Sequence, residues 1–282
     1  MTSDIVLRVE DLRKSFGAVK AVDGVSFSLA AGSATALVGE SGSGKSTISR
    51  LLVGLESADS GRITLLTGAS GAAPPTAGSG GWPARRRQRR RALARQVQMV
   101  FQDPFLSLDP RIRVGDSIAE VLDRHFSLTT EAKRRRVREL LEQVGLGGRE
   151  ERALPRMLSG GQRQRVAIAR ALAVEPRVLI LDEATSSLDV SIQAQIIDLL
   201  VTIRKETGVT MLFVSHDLAL VRQITDEVIV LFQGRIVEHG PTAKILAHPS
   251  ADYTRLLLSS VPRPGWDPTQ VVTLRQALRQ GE

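Results

Sequence analysis

Residues 39–47 read GESGSGKST, directly after the apolar Ala36, Leu37 and Val38 and directly before a helix-compatible run from Ile48 to Leu52. Gly39, Gly44, Lys45 and Ser46 occupy every fixed position of the pattern G-x-x-x-x-G-K-S/T, in the strand–loop–helix context that the pattern requires. Glycines let successive backbone N–H groups converge on phosphate oxygens without Cβ interference, and a helix N-terminus adds positive potential. Lys45 is placed to reach the β- and γ-phosphates, and the Ser46 hydroxyl to ligate Mg²⁺. The whole stretch Gly39, Glu40, Ser41, Gly42, Ser43, Gly44, Lys45, Ser46 and Thr47 is therefore the candidate phosphate-binding segment. It implies a nucleoside triphosphate and leaves the purpose of that nucleotide open.

A second feature lies downstream. VLILDE, residues 178–183, is an apolar strand ending in two acids. The carboxyl ends of parallel strands are where open α/β sheets gather their ligands. Asp182 is expected to hold Mg²⁺, and Glu183 to polarise a water for attack on the γ-phosphate. Taken alone, the same Asp-Glu pair could simply cap a helix after a buried strand.

The rest of the chain frames these motifs. At 282 residues it can bury a substantial core. It contains no cysteine, which excludes disulfides, thiolate metal sites and cysteine nucleophiles and fits a reducing compartment. The opening MTSDIVLRVE lacks the pattern of a signal peptide. No apolar run approaches the roughly 20 residues of a membrane helix, so any span must come from another chain. The net charge of +8 sits largely in Arg85 to Arg95, without interleaved aromatics, which argues for solvated basic surface and against nucleic acid.

Short β segments are expected across 5–39, a helix from Gly44 to about Gly54, strands at 61–66 and 97–101, and helical structure over 113–148. From 160 onward, helices alternate with the unbroken apolar runs Val178–Leu181, Met211–Val214 and Val228–Phe232. That alternation predicts a parallel sheet covered on both faces. Residues 67–83, rich in Gly, Ala, Ser and Pro, are expected to form a flexible insertion. The stretch after 247 is expected to be an appendage.

LSGGQ, residues 158–162, stands before the helical RQRVAIARALA of 163–173. Ser159 can cap that helix, and Gly160 and Gly161 permit close backbone approach to an anion. With these five residues the chain resembles the ATP-binding cassette (ABC) family, from about residue 5 to 245. The resemblance implies an α/β P-loop NTPase fold with a RecA-like core, an antiparallel β subdomain and an inserted α-helical subdomain at about 103–158. The cassette domain would run over 1–246, and the tail over 247–282. It implies ATP hydrolysis by two cassettes facing each other, with Ser159, Gly160, Gly161 and Gln162 of one closing on the γ-phosphate held by the other.

Further roles follow from the same resemblance. Phe16 matches the aromatic that stacks on adenine, and Gln102 the loop glutamine that senses Mg²⁺ and the attacking water. Residues 186–189 (SSLD) match the loop crossing the dimer interface, although Asp189 equally suits a helix N-cap. His216 matches the switch histidine at the γ-phosphate, whereas His125, His239 and His248 match nothing.

FQDPFLSLDPRIRVGDSI (101–118) and HPSADYTRLLLSSVP (248–262) resemble the ATPase subunits of importers for oligopeptides, dipeptides and nickel. That branch implies peripheral attachment at the cytoplasmic face of the inner membrane. Its partners would be permease subunits, a second ATPase subunit and, indirectly, an extracytoplasmic solute-binding protein, with no nucleic acid. The competing reading is a soluble ABC ATPase in a nucleic-acid or other enzyme complex.

Overall fold

The computed structural model describes residues 4–66, 92–103, 107–186 and 188–260. The insertion expected at 67–83 and most of the arginine run lie outside the described residues. The chain runs β1 (Ile5–Phe16), β2 (Val19–Ala30), β3 (Ala34–Val38), α1 (Lys45–Leu52), β4 (Ser60–Leu65) and β5 (Val97–Val100). Three helices follow, α2 (Val114–His125), α3 (Thr130–Gln143) and α4 (Gly148–Arg152), then a 3-10 turn at Pro155–Met157. The remainder is α5 (Gly160–Leu172), β6 (Val178–Asp182), α6 (Val190–Thr207), β7 (Thr210–Ser215) and α7 (Leu218–Ile224). It closes with β8 (Glu227–Phe232), β9 (Arg235–Pro241), α8 (Thr242–Ala247) and α9 (Asp252–Ser259).

Two compact units share these elements. The first combines the chain up to Ser79 with everything from Leu212 onward, and the second is Gly80–Met211.

In the first unit, β1 pairs antiparallel with both β2 and β4. β1 and β2 are 12 residues each, longer than the short segments the sequence suggested. Register shifts at Val9/Leu12 and Leu12/Arg13 let one long ribbon bend where a straight strand pair could not. A second sheet pairs β3 with β8 in parallel, Val38 opposite Val230. All five β3 residues are buried, as an apolar run covered on both faces must be. β9 then adds antiparallel to β8. Sequence pattern missed β9 because Arg235, Glu238 and His239 break any apolar run, as an edge strand permits.

The described part of the stretch after 247 is more than an appendage. Tyr253 and Leu256 of α9 pack among Ala36, Val38, Val228 and Val230 in the core.

In the second unit, β5 and β6 pair in parallel, Val97 opposite Val178. The helical stretch 113–148 resolves into α2, α3 and the start of α4. Helix α3 is capped by the Thr129 hydroxyl accepting from the Ala132 N–H at 3.2 Å. Gly115 lets α2 approach α4, since a Cβ there would meet Glu151 Cγ at 2.8 Å. Arg165 of α5 donates to the Val144 carbonyl at 2.7 Å, tying α5 to the end of α3.

One ion cluster in the first unit carries a pH dependence. Asp23 accepts from Arg235 at 2.7 and 3.1 Å and also from Arg13. The Arg235 guanidinium is the main cause that holds its carboxyl below the usual carboxylate value. A carboxylate whose folded pKa is depressed adds stability above its unfolded value, and that stability is lost as pH falls through the folded value. Asp23→Asn is expected to lower Tm at pH 7 and to reduce the further loss between pH 5 and pH 3 measured by thermal melts. An unchanged pH 5-to-3 loss would contradict it.

Candidate functional site

The first unit carries the phosphate loop. It leaves the carboxyl end of β3 and runs into α1, and its shape demands glycine at two places. Gly39 has φ +156°, and a Cβ there would lie 2.2 Å from the Leu231 carbonyl oxygen. Gly44 has φ +107°, and a Cβ would lie 2.2 Å from the Ala21 carbonyl oxygen. Both contacts are to backbone, which cannot swing aside. Gly42, also at positive φ, faces open space.

Gly44 is the N-cap of α1 and, having no side chain, makes no side-chain cap bond. An α-helix begins with N–H groups that lack intrahelical partners, so this end suits an anion. Lys45 is only 6% exposed, and its ammonium donates to the carbonyls of Gly39 (2.7 Å) and Glu40 (2.8 Å). The Ser43 N–H donates to the Glu40 carbonyl at 3.2 Å, and the Gly234 N–H to the Ser43 carbonyl at 3.0 Å. Ser41, Gly42 and Ser46 are exposed, and Thr47 is partly so.

Phe16 ends β1 and is 48% exposed. The Lys14 ammonium lies 5.2 Å from its ring centroid. Asp59 accepts from the Ser15 N–H at 2.7 Å and from Lys14 at 3.3 Å, which fixes the strand end that presents the ring. His216 is exposed just beyond β7. Its neighbour Asp217 caps α7, accepting from the N–H groups of Ala219 and Leu220 at 2.9 and 3.1 Å.

The second unit carries the acids and the signature. Asp182, the last residue of β6, is 8% exposed. Glu183 follows at φ +48°, a left-handed conformation that costs an L-residue roughly 1–2 kcal/mol. The turn holding it is bonded: Ser186 donates to the Glu183 carbonyl from its hydroxyl at 3.0 Å and from its N–H at 3.1 Å. Gln102, one residue beyond the Phe101 that follows β5, donates from Nε2 to Ser186 Oγ at 3.3 Å. Gln102 and the Glu183 turn therefore meet through one serine. Asp189 is the N-cap of α6 but makes no side-chain cap bond.

LSGGQ builds the start of α5. The Ser159 hydroxyl accepts from the Gln162 N–H at 3.2 Å, while Gln162 Oε1 accepts from the Ser159 N–H at 3.0 Å. This reciprocal box satisfies one donor in each direction and leaves the helix tip rigid. Gly161 is needed for packing as well as for any approaching anion, since a Cβ would meet Ile192 Cγ2 of α6 at 2.5 Å. Gly160 is freer, with Leu188 at 3.4 Å.

Sequence reasoning missed Tyr253, whose hydroxyl accepts from the Glu40 N–H at 2.8 Å. Its place in a leucine-rich stretch far from residue 40 gave no signal of that contact.

The model of the family described as "ABC transporter" matches residues 22–186. The chain belongs to this ABC transporter family. Two curated relatives are similar along most of their length. The di/tripeptide transport ATP-binding protein DppF of Pseudomonas aeruginosa is 43% identical over 92% of this chain and 76% of its own. The oligopeptide transport ATP-binding protein OppF of Bacillus subtilis is 43% identical over 93% and 84%.

Among solved structures, cbiO1 from Clostridium perfringens, part of the ABC transporter complex cbiONQ, superposes with a TM-score of 0.75 at 30% identity. That match covers 93% of this chain and 98% of the other. A dimeric cassette bound to ADP and phosphate superposes at 0.71 with 25% identity over 84% and 98%. The fold is thus that of an ABC ATPase, an α/β P-loop NTPase with a separate antiparallel sheet. The protein is an ATP-hydrolysing subunit. Among its described residues no helix is long and apolar enough to cross a membrane.

Gly44→Ala places a methyl against an immovable carbonyl in a strained conformation costing on the order of 1–3 kcal/mol. ATP affinity is expected to fall about tenfold or more in a fluorescent-nucleotide titration, with far-UV circular dichroism retained. Wild-type affinity in this variant would refute the close approach at Ala21.

Proposed function

We propose that this chain energises an importer of di-, tri- or oligopeptides from the cytoplasmic face of the inner membrane. The observation that carries the reading is the 43–45% identity, over more than nine-tenths of the chain, to ATP-binding proteins named for peptide transport or import. In this reading the chain acts as one of two facing cassettes, same or sibling, beneath permease subunits, with a solute-binding protein delivering the peptide from outside. The helical stretch of about 103–158 would be the part that meets the permease. The cassette domain would end near 246, with the tail from 247 resembling that of peptide importers.

The residues suit distinct roles. The loop of residues 39–47 and the start of α1, which has no side-chain cap, cradle the phosphates, with the Lys45 ammonium exchanging its two carbonyl partners for phosphate oxygens. Phe16 offers its exposed ring face to adenine. Mg²⁺ would be held by the Ser46 hydroxyl, the Asp182 carboxylate and the Gln102 amide oxygen, each of which is a hard oxygen donor of the kind that ion takes. When bound, the ion neutralises charge on the β- and γ-phosphates.

Glu183 takes a proton from the attacking water, and its strained backbone, fixed by Ser186, aims the carboxylate. Ser186 links this turn to Gln102, so the loop glutamine and the turn carrying Glu183 share one hydrogen-bonding partner. His216 steadies the γ-phosphate. Ser159, Gly160, Gly161 and Gln162 present a rigid helix tip to the nucleotide held by the facing cassette.

Glu183→Gln removes the base and keeps the shape. Turnover should drop about 10²–10⁴-fold, the usual worth of general-base catalysis, while ATP still binds. A malachite-green phosphate assay checks the rate, and near-normal hydrolysis would contradict the role. Cells lacking the chain should lose uptake of a labelled tripeptide and regain it with the wild-type chain but not with Glu183→Gln. Unimpaired peptide uptake in such cells would contradict the peptide reading.

A further inference from the structure

Tyr253 makes a contact that the roles above do not use. It lies on α9, nearly at the end of the described chain, yet is only 3% exposed. Its ring packs against Phe232 with centroids 4.2 Å apart. The start of α9 is clasped from β9: Glu238 accepts from the N–H groups of Ser250 at 2.7 Å and Ala251 at 3.2 Å. Arg255 donates back to the Ser250 carbonyl at 2.9 Å. The helix is therefore fixed before it reaches the phosphate loop, and the Tyr253 hydroxyl then accepts the Glu40 N–H.

The position of that N–H matters. It belongs to the same peptide unit as the Gly39 carbonyl, which accepts from Lys45 at 2.7 Å. This peptide is trans, so its N–H and C=O point in opposite directions. Bonding one end to Tyr253 turns the other end toward the lysine. Gly39 itself lacks the steric restraint a side chain would give, so its peptide plane depends on the bonds made to it.

We propose that Tyr253 is a positioning residue for nucleotide binding: its hydroxyl orients the Gly39–Glu40 peptide and so pre-places the Lys45 ammonium before phosphate arrives. The tail helix thereby becomes a working part of the phosphate cradle. This proposal rests on the cradle binding ATP. It goes beyond that reading in giving the C-terminal segment a role in affinity.

Tyr253→Phe deletes the hydroxyl and keeps the ring against Phe232. One neutral hydrogen bond is typically worth a few-fold to tenfold in an equilibrium constant. The KM for ATP should rise about 3–10-fold, with kcat within twofold of wild type and Tm within a few degrees. An unchanged KM would overturn the proposal, as would a Tm collapse in which KM and kcat deteriorate together, because both describe a tyrosine that only fills space.

Should the variant fail to fold, amide exchange in the wild-type chain decides the matter. The Glu40 amide should exchange well over tenfold more slowly than those of Ser41 and Gly42, and equal rates would overturn the proposal. Failure of wild-type chain to bind ATP at all would instead sink the ATPase reading, so the two failures are distinguishable.

Discussion

The conformation of six residues, Gly39 to Gly44, is the constraint from which the nucleotide chemistry follows. Two backbone carbonyls, those of Leu231 and Ala21, press to within the space a methyl group would need. Only glycine tolerates that pressure at positive φ. The loop consequently folds tightly enough for Lys45 to lie back over the carbonyls of Gly39 and Glu40, while α1 begins without a side-chain cap. A buried cation and a helix start without a side-chain cap together form a site that favours anionic charge. The core around Ala36, Val38, Val228 and Val230 exists on one side of this loop, and the tail helix joins that same core.

The second unit solves a different problem, which is to hold Glu183 in an unfavourable backbone conformation. Glu183 sits at φ +48°, and strain of this kind persists only where neighbours over-determine it. Here the neighbours are Ser186, bonded twice to the Glu183 carbonyl, and Gln102, bonded to Ser186. The signature helix shows the same economy. Ser159 and Gln162 satisfy each other, and Gly161 lets α5 lie against Ile192 of α6. A glycine there serves packing within the chain before it serves any ligand.

Much of this was legible in the sequence because the determinants are local. GESGSGKST, VLILDE and LSGGQ each place chemistry-bearing residues at fixed spacing on one strand end or one helix start, and alternating apolar runs announce buried parallel strands. What escaped was non-local or locally unpatterned. β9 carries charges because it lies at an edge, so its strand character comes from β8 rather than from its own periodicity. β1 and β2 are long because bulges bend them, and bulges leave no clear mark in composition. Tyr253 meets Glu40 across more than 200 positions of chain, and the clasp by Glu238 that delivers it joins two segments with no shared motif. Contacts of that kind are made by the fold and cannot be read before it.

The central claim is that the phosphates, held by the glycine loop and Lys45, carry the affinity for nucleotide, with the Phe16 ring adding less. Calorimetric titration of the purified chain with ATP and with adenosine compares the two directly. ATP should bind at least a hundredfold more tightly than adenosine, whose ring alone meets Phe16. Equal affinity for the two would show that the phosphate cradle contributes nothing, and would contradict the claim.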